Sequence, residues 1–255
     1  MVLKKYLRTT LVKLANSRHY ELIPSWRFGI QPLARHLKAI FETYKIDCAF
    51  DVGGNLGQYH DLLRDEVGFR GWIFSFEPVS KYVDILKMRS SSDSKWRIFD
   101  FALGSTPGMA SINVTKSPGL NSFLEPRKDA VLDYWSADSV SGMEEVCIKT
   151  MDGIFEDLVK EHEFSAPYLK LDTQGFDLEV LKGSANFLRN FRAMQTEAAI
   201  MPLYKGMPDF REVIEYLMLA NFELSGMFPV SHDKSLRLIE FDCLMTNKLF
   251  AEKKL

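Results

Sequence analysis

The stretch CAFDVGGNLGQYHDLLRDE, residues 48–66, decides the fold. Its first five residues are apolar apart from Asp51. The chain then breaks into Gly53, Gly54, Asn55 and Gly57 and resumes with helical periodicity. A buried strand, a glycine-rich turn and a helix, in that order, form the unit from which parallel sheets are built. Downstream the unit recurs. Apolar runs at 71–76, 96–101, 167–172 and 193–199 read as strands, with helices expected over 79–89, 150–160, 176–190 and 208–220. Strands so uniformly apolar imply a mainly parallel sheet covered on both faces. The last two runs, 222–228 and 236–246, have no helix between them and predict an antiparallel pair at one sheet edge. Residues 104–146 break the rhythm with Ser, Pro, Gly and acids. A strand over 109–115 and a loop or lid beyond it are expected there. The domain is therefore drawn over 46–255, with an irregular insert at about 105–146.

Upstream, residues 1–45 form a helical extension. Leu3, Leu7, Leu11 and Leu14 recur at helical spacing among Lys4, Lys5, Arg8, Lys13 and Arg18, and a second helix is expected over 32–45. A basic amphipathic helix over 1–20 packs on its own domain, on a second subunit of a homodimer, or on an anionic membrane surface. Composition narrows the class. The 255 residues are 46% hydrophobic and 26% charged, with a formal net charge of −2, the balance of an ordinary globular protein. With a pI near 6.2, nothing in the global charge favours nucleic acid. No run approaches the roughly 18 apolar residues of a membrane span. The opening segment lacks a small-residue cleavage site, so no secretory signal is expected. Cys48, Cys147 and Cys243 are far apart with no CxxC pair, which points away from a disulfide framework or cysteine zinc site. The expected location is the cytoplasm, with the inner membrane face as a peripheral alternative.

The glycine turn carries the chemistry. In an open parallel sheet, ligands bind beyond the carboxyl ends of the strands. Glycines there let backbone approach a ligand closely. A dinucleotide fingerprint would need G-x-G-x-x-G, but Val52 stands at its first glycine and Asp51 ends the strand. An acid there would repel a pyrophosphate yet suit a cationic ligand such as the amino group and sulfonium of S-adenosylmethionine. A tight turn with no ligand is the plain alternative. At the next strand end, Glu77 is placed to accept hydrogen bonds from two ribose hydroxyls, and Pro78 helps end the strand. Asp100, Phe101 and Ala102 follow at the third, where an acid and an apolar pair would bracket an adenine ring.

Together FDVGGNLGQY (50–59), FSFEP (74–78), FALG (101–104), IKTMDGI (148–154), YLKLDTQGFDLEVLKG (168–183) and the stretch from Glu197 through PLYKGMPDF (202–210) resemble the FkbM family of S-adenosylmethionine-dependent methyltransferases. The resemblance spans about residues 46–246. It implies a Rossmann-like α/β fold: a seven-stranded, mostly parallel sheet with an antiparallel strand at its edge and helices on both faces. Its cofactor-binding set maps onto Asp51, Gly53, Gly54, Asn55, Gly57, Gln58, Glu77, Pro78, Asp100, Phe101, Ala102 and Asp172. It also implies O-methylation of a hydroxyl on a sugar, glycolipid or natural product. Gln174 stands where many members carry a glutamate, and without charge it is not expected to act as a general base.

Methyl transfer to an alcohol needs a base within hydrogen-bond reach. Asp172, at the end of the fourth strand, is the first choice, though an acid capping the next helix would look the same. Lys170 shares a face with Asp172, and Glu197 is its expected partner in an ion pair. Alternatively, Glu197 and Asp172 hold a divalent metal or sugar hydroxyls, although two carboxylates specify a metal poorly. His232, between the last two strands, is a further candidate base. His60 is expected to pack rather than react. Tyr204 and Lys205 are placed to line a sugar-sized pocket, and Asn121 and Ser122 to close over the cofactor. Two other readings share the fold: a nicotinamide-dependent reductase and a non-catalytic scaffold.

Overall fold

A computed structural model of the chain describes residues 27–127 and 140–251; the basic helix expected over residues 1–20 lies outside them. The elements in chain order are α1 (Gln31–Thr43), β1 (Cys48–Val52), α2 (Gln58–Asp61, running on as a π-helical turn over Leu62–Val67), β2 (Trp72–Phe76), α3 (Ser80–Ser90), β3 (Trp96–Phe99), β4 (Ala102–Leu103), β5 (Gly108–Thr115), β6 (Val140–Lys149), α4 (Met151–His162), β7 (Pro167–Leu171), α5 (Asp177–Lys182), β8 (Ala193–Ala199), α6 (Phe210–Leu219), β9 (Phe222–His232) and β10 (Leu238–Asn247). Seven strands form one sheet in the order β3-β2-β1-β7-β8-β10-β9. All neighbours pair in parallel except at β10, which runs against both β8 and β9. The antiparallel pair thus lies at the edge, as expected, with the reversed strand one place in from the rim.

Strand alternation sorts the core into two faces. One face packs Phe50, Phe74, Phe76, Leu169, Met194 and Cys243 against Phe155 and Leu158 of α4, Val180 and Leu181 of α5, and Val213 and Leu217 of α6. Phe50 lies at its centre, with ring centroids of Phe74 and Phe191 each 5.3 Å away. The other face packs Ala49, Ile73, Tyr168, Ala193 and Leu244 against α1 and α2. Pro32 opens α1, where its missing N–H costs nothing. Leu33, Ala34, Leu37, Ile40 and Phe41, spaced by three and four, form its buried stripe. One step toward the carboxyl ends, this second face becomes polar. Ser75, Asp51, Lys170 and Gln195 stand side by side across four strands. That change places the chemistry at one end of the sheet.

Two differences from the sequence reading stand out. Within 105–146, expected to be irregular beyond one strand, β5 pairs antiparallel with the ten-residue β6, and β4 completes a second, three-stranded sheet. Helix α5 ends at Lys182 rather than continuing to 190, with Gly183 as its C-cap packed so close to Gly104 that a Cβ would stand 1.9 Å from the Gly104 carbonyl oxygen. The chain can pass that point only with a glycine.

Candidate active site

The turn after β1 is built by close backbone approach. Gly53 has φ +86°, and a Cβ there would lie 2.0 Å from the Asp172 carbonyl oxygen. A side chain would push the ends of β1 and β7 apart. The N–H groups of Gly53 and Gly54 both donate to the Phe76 carbonyl at 3.0 Å. Beyond them the Asn55 N–H donates to Glu77 Oε2 (2.8 Å), while the Val79 N–H donates to Glu77 Oε1 (2.9 Å). Glu77 is 5% exposed. Burial is the main reason its carboxyl is pushed up to about 7, against the two backbone donors that favour its charge.

These residues wall a cleft that opens to solvent. Gly53, Asn55, Glu77 and Pro78 form one side. Phe76, Ala102, Leu103, Ile112 and Phe123 give an apolar lining, and Asp172, Thr173 and Gln174 close the far end. Asn55 Oδ1 is buried there without a hydrogen-bond partner, which is costly unless a ligand supplies a donor.

Behind the turn is a charged support. Asp51, fully buried, accepts from Ser75 Oγ at 2.9 Å, and Ser75 in turn accepts from Trp96 Nε1 at 2.9 Å. Lys170 Nζ lies 3.1 Å from Asp51 Oδ1 and 3.4 Å from Asp172 Oδ2, and it donates to the Gly53 carbonyl at 3.2 Å. Burial opposes the ammonium charge, but Asp51 and Asp172 outweigh it and hold Lys170 above the usual lysine range.

The far end is acidic. Gln174 Nε2 donates to Asp172 Oδ1 at 2.9 Å and to Glu197 Oε2 at 2.7 Å, and Gln174 Oε1 accepts from Tyr204 Oη at 3.0 Å. Glu240 and Asp242 on β10 stand beside Glu197 on β8, with Asp242 directly across from it. Burial, then the neighbouring carboxylates, push Glu197 well above the ordinary carboxyl range. The same causes take Glu240 to about 7 and, against a hydrogen bond from Gln195, Asp242 to about 6. Among the described residues, no three of His, Cys, Asp and Glu are grouped to hold a metal ion.

Of the residues expected at the site, Gly53, Asn55, Glu77, Pro78, Ala102, Asn121 and Asp172 come together on the cavity wall, and Ser122 stands behind it, donating to the Gln174 carbonyl. Glu197 reaches it through Gln174. Several placements are corrected. Asp51 is enclosed behind the turn with its charge committed to Lys170. Lys170 therefore pairs with Asp51 and Asp172 rather than with Glu197. Gly54 lies over Ser75 and Leu86, and Gly57 faces Arg89 and Trp96. Gln58 Oε1 accepts from the Leu56 N–H at the start of α2. Asp100 points outward with its side chain 62% exposed, paired with Lys87 at 2.9 Å. Phe101 packs on Phe76 and Phe99. His232 ends the edge strand β9, exposed and outside the cavity lining. His60 stacks on Trp96 with its ring nitrogens at Asp61 and Asp93, as a packing role requires. Tyr204 reaches the site through Gln174, whereas Lys205 pairs with Glu125. Thr173, Ile112, Pro118, Gly119 and Phe123 escaped sequence reasoning; Gln174 was legible only as a missing charge, not as a donor.

Residues 51–224 match the methyltransferase FkbM domain. The chain is 27% identical over 184 residues to the hexuronic acid methyltransferase AglP of Haloferax volcanii, covering 69% of this chain and 68% of that one. It superposes with a TM-score of 0.50 on the methyltransferase FkbM of Methylobacillus flagellatus KT. The identity is 14%, over 79% of this chain and 43% of that one.

Proposed function

Because the chain belongs to the FkbM methyltransferase family, we propose that it moves the methyl group of S-adenosylmethionine to a hydroxyl of a sugar or sugar-bearing acceptor. The cavity wall carries this reading. It combines a buried carboxylate at Glu77, an orphaned acceptor at Asn55 Oδ1 and an apolar lining, with Asp172 at the opposite end. Those groups fit the cofactor by type. Glu77 would accept from the ribose hydroxyls, Ala102, Leu103 and Phe123 would pack the adenine, and Asn55 Oδ1 would accept from the ammonium of the methionine part. When bound, the sulfonium supplies a methyl carbon already attached to a good leaving group.

What remains for the protein is alignment, exclusion of water and removal of one proton. Asp172, with its side chain 39% exposed on the cavity wall, is placed to take the acceptor's hydroxyl proton. With a cofactor held by Glu77, Asn55 and the apolar lining, an Asp172 carboxylate oxygen would receive that proton as the acceptor takes up the methyl group. The protonated Asp172 then returns its proton to water. Lys170 Nζ stands 3.4 Å from Asp172 Oδ2.

The relative AglP is named for a hexuronic acid, which supports a sugar as the acceptor class. The acceptor end differs in charge from what a uronate would welcome. Glu197, Glu240 and Asp242 resist ionisation because they are buried beside one another, and none of the three supplies the positive charge that would pair a uronate carboxylate. A hydroxyl on a neutral sugar ring is therefore the favoured acceptor.

Calorimetric titration with S-adenosylhomocysteine, with NADH as control, tests the cofactor. Binding of the first alone is expected; heat from NADH alone, or from neither, overturns the reading. Tritium transfer from methyl-labelled S-adenosylmethionine to methyl glucoside in preference to methyl glucuronide then tests the acceptor. The reverse preference would remove the argument from charge.

A further inference from the structure

The turn between β7 and α5 is held in an unusual shape for the sake of one side chain. Gln174 has φ +53° and Gly175 φ +89°, and a non-glycine residue in the left-handed region is kept there only when its surroundings hold it. The holding contacts are visible. Buried Ser122 donates from Oγ to the Gln174 carbonyl at 2.7 Å, and Gly175 packs under Met207. So fixed, the Gln174 amide faces two carboxylates with its nitrogen and Tyr204 with its oxygen. Its orientation follows from chemistry: the reverse flip would set the amide oxygen against both carboxylates.

Here the glutamine makes three hydrogen bonds that its near neighbours in size could not all make. A glutamate would bring a third anion between Asp172 and Glu197, and a methionine would offer neither hydrogen. An asparagine would be one methylene too short to span both. The two amide hydrogens are used one on each acid, so the two acids are held as a unit. Asp172 Oδ1 is tied to Gln174 and Oδ2 lies toward Lys170, which fixes the plane of the carboxylate on the cavity wall.

We propose that Gln174 is the positioning residue of the methyl-transfer site: it ties Asp172 to Glu197 and holds the Asp172 carboxylate facing the point where the methyl group is transferred. This rests on the reading of the cavity as an S-adenosylmethionine site. Charged or titratable groups facing the pair are Lys170 on β7, Asp177 on α5, Glu240 and Asp242 on β10, and Tyr204. None of these bridges the two acids as the Gln174 amide does.

The test compares two cofactor analogues in the wild type and in Gln174→Met. Sinefungin carries an amine where the transferred methyl stands, and S-adenosylhomocysteine carries nothing there. A correctly held Asp172 favours sinefungin. Dividing one affinity by the other cancels any general damage to the cavity. The ratio is expected to fall threefold or more in the variant, and an unchanged ratio overturns the proposal. Should the variant lose both ligands, titration of the Glu197 carboxyl by carbon NMR decides instead. Without its amide donor, Glu197 is expected to titrate at a pH at least tenfold lower in proton concentration, and an unmoved midpoint overturns the proposal. If Gln174→Met does not fold, Gln174→Glu is read in the same way, with the same upward movement expected from the added anion. Failure of the wild type to bind S-adenosylhomocysteine would instead sink the cofactor reading itself.

Discussion

Glu77 gives the sharpest quantitative test. Its carboxyl ionises near 4.5 in a solvated chain but at about 7 in the folded protein, because burial opposes its charge. The folded state therefore holds that proton more tightly than the unfolded chain, and stability is lost as pH rises through the window between those values. Ionising the group costs about 1.4 kcal/mol at pH 5.5 and about 3.3 kcal/mol at pH 8.0, taking ~1.4 kcal/mol for each tenfold change in the ionisation constant. Glu77→Gln removes this titration. A glutamine cannot accept from both the Asn55 and the Val79 N–H, so the variant carries a penalty of about 1–3 kcal/mol for an unmet donor. That penalty does not depend on pH. Urea unfolding of both proteins at the two pH values isolates the titrating part. Relative to wild type, the variant is expected to gain about 2 kcal/mol between pH 5.5 and 8.0. A difference that stays constant within about 0.5 kcal/mol would refute the placement of Glu77 as a desolvated carboxyl.

Three further outcomes are expected. Gly53→Ala must accept a left-handed residue at about 1–2 kcal/mol and also displace the Asp172 carbonyl. It should lower the urea midpoint and weaken S-adenosylhomocysteine, and a midpoint equal to wild type would contradict the geometry. Asp51→Asn strips a buried counter-charge from Lys170, a loss of about 3–5 kcal/mol; weakened cofactor binding at undiminished stability would instead return Asp51 to the cavity. Asp100→Ala and His232→Ala, both away from the wall, are expected to leave S-adenosylhomocysteine affinity within twofold in calorimetry.

What could be read from sequence follows burial. Strands β1 and β8 match their expected limits, β1 because its apolar residues run straight up to the glycine turn and β8 because it is buried along almost its whole length. Strand β6 was invisible because it is exposed over most of its length. Gly142, Glu144 and Glu145 interrupt its pattern, leaving only Val146 and Ile148 buried. The helical pattern after Asp177 continues well past Lys182, but Gly183 must pass against Gly104, a contact that no local pattern announces. At the site, sequence order located the strand ends, and hence Glu77 and Asp172. It did not show which way Asp51 turns, since that depends on Lys170 arriving from a strand more than a hundred residues later. Nor did it value Gln174, because a missing charge is a loss until two carboxylates are seen to need one shared donor.

The turn over Gly53–Gln58 is closed by hydrogen bonds to its own chain. It is tied to Phe76 by two amides, to Glu77 through Asn55, and to α3 by Arg89 donating to the Leu56 carbonyl. A cradle assembled in advance spares an arriving molecule the entropy of ordering it. Entry then becomes a single kinetic phase set by diffusion and orientation, with no lag for rearrangement of this turn. Differences among cofactor analogues would accordingly be written in how long each one stays.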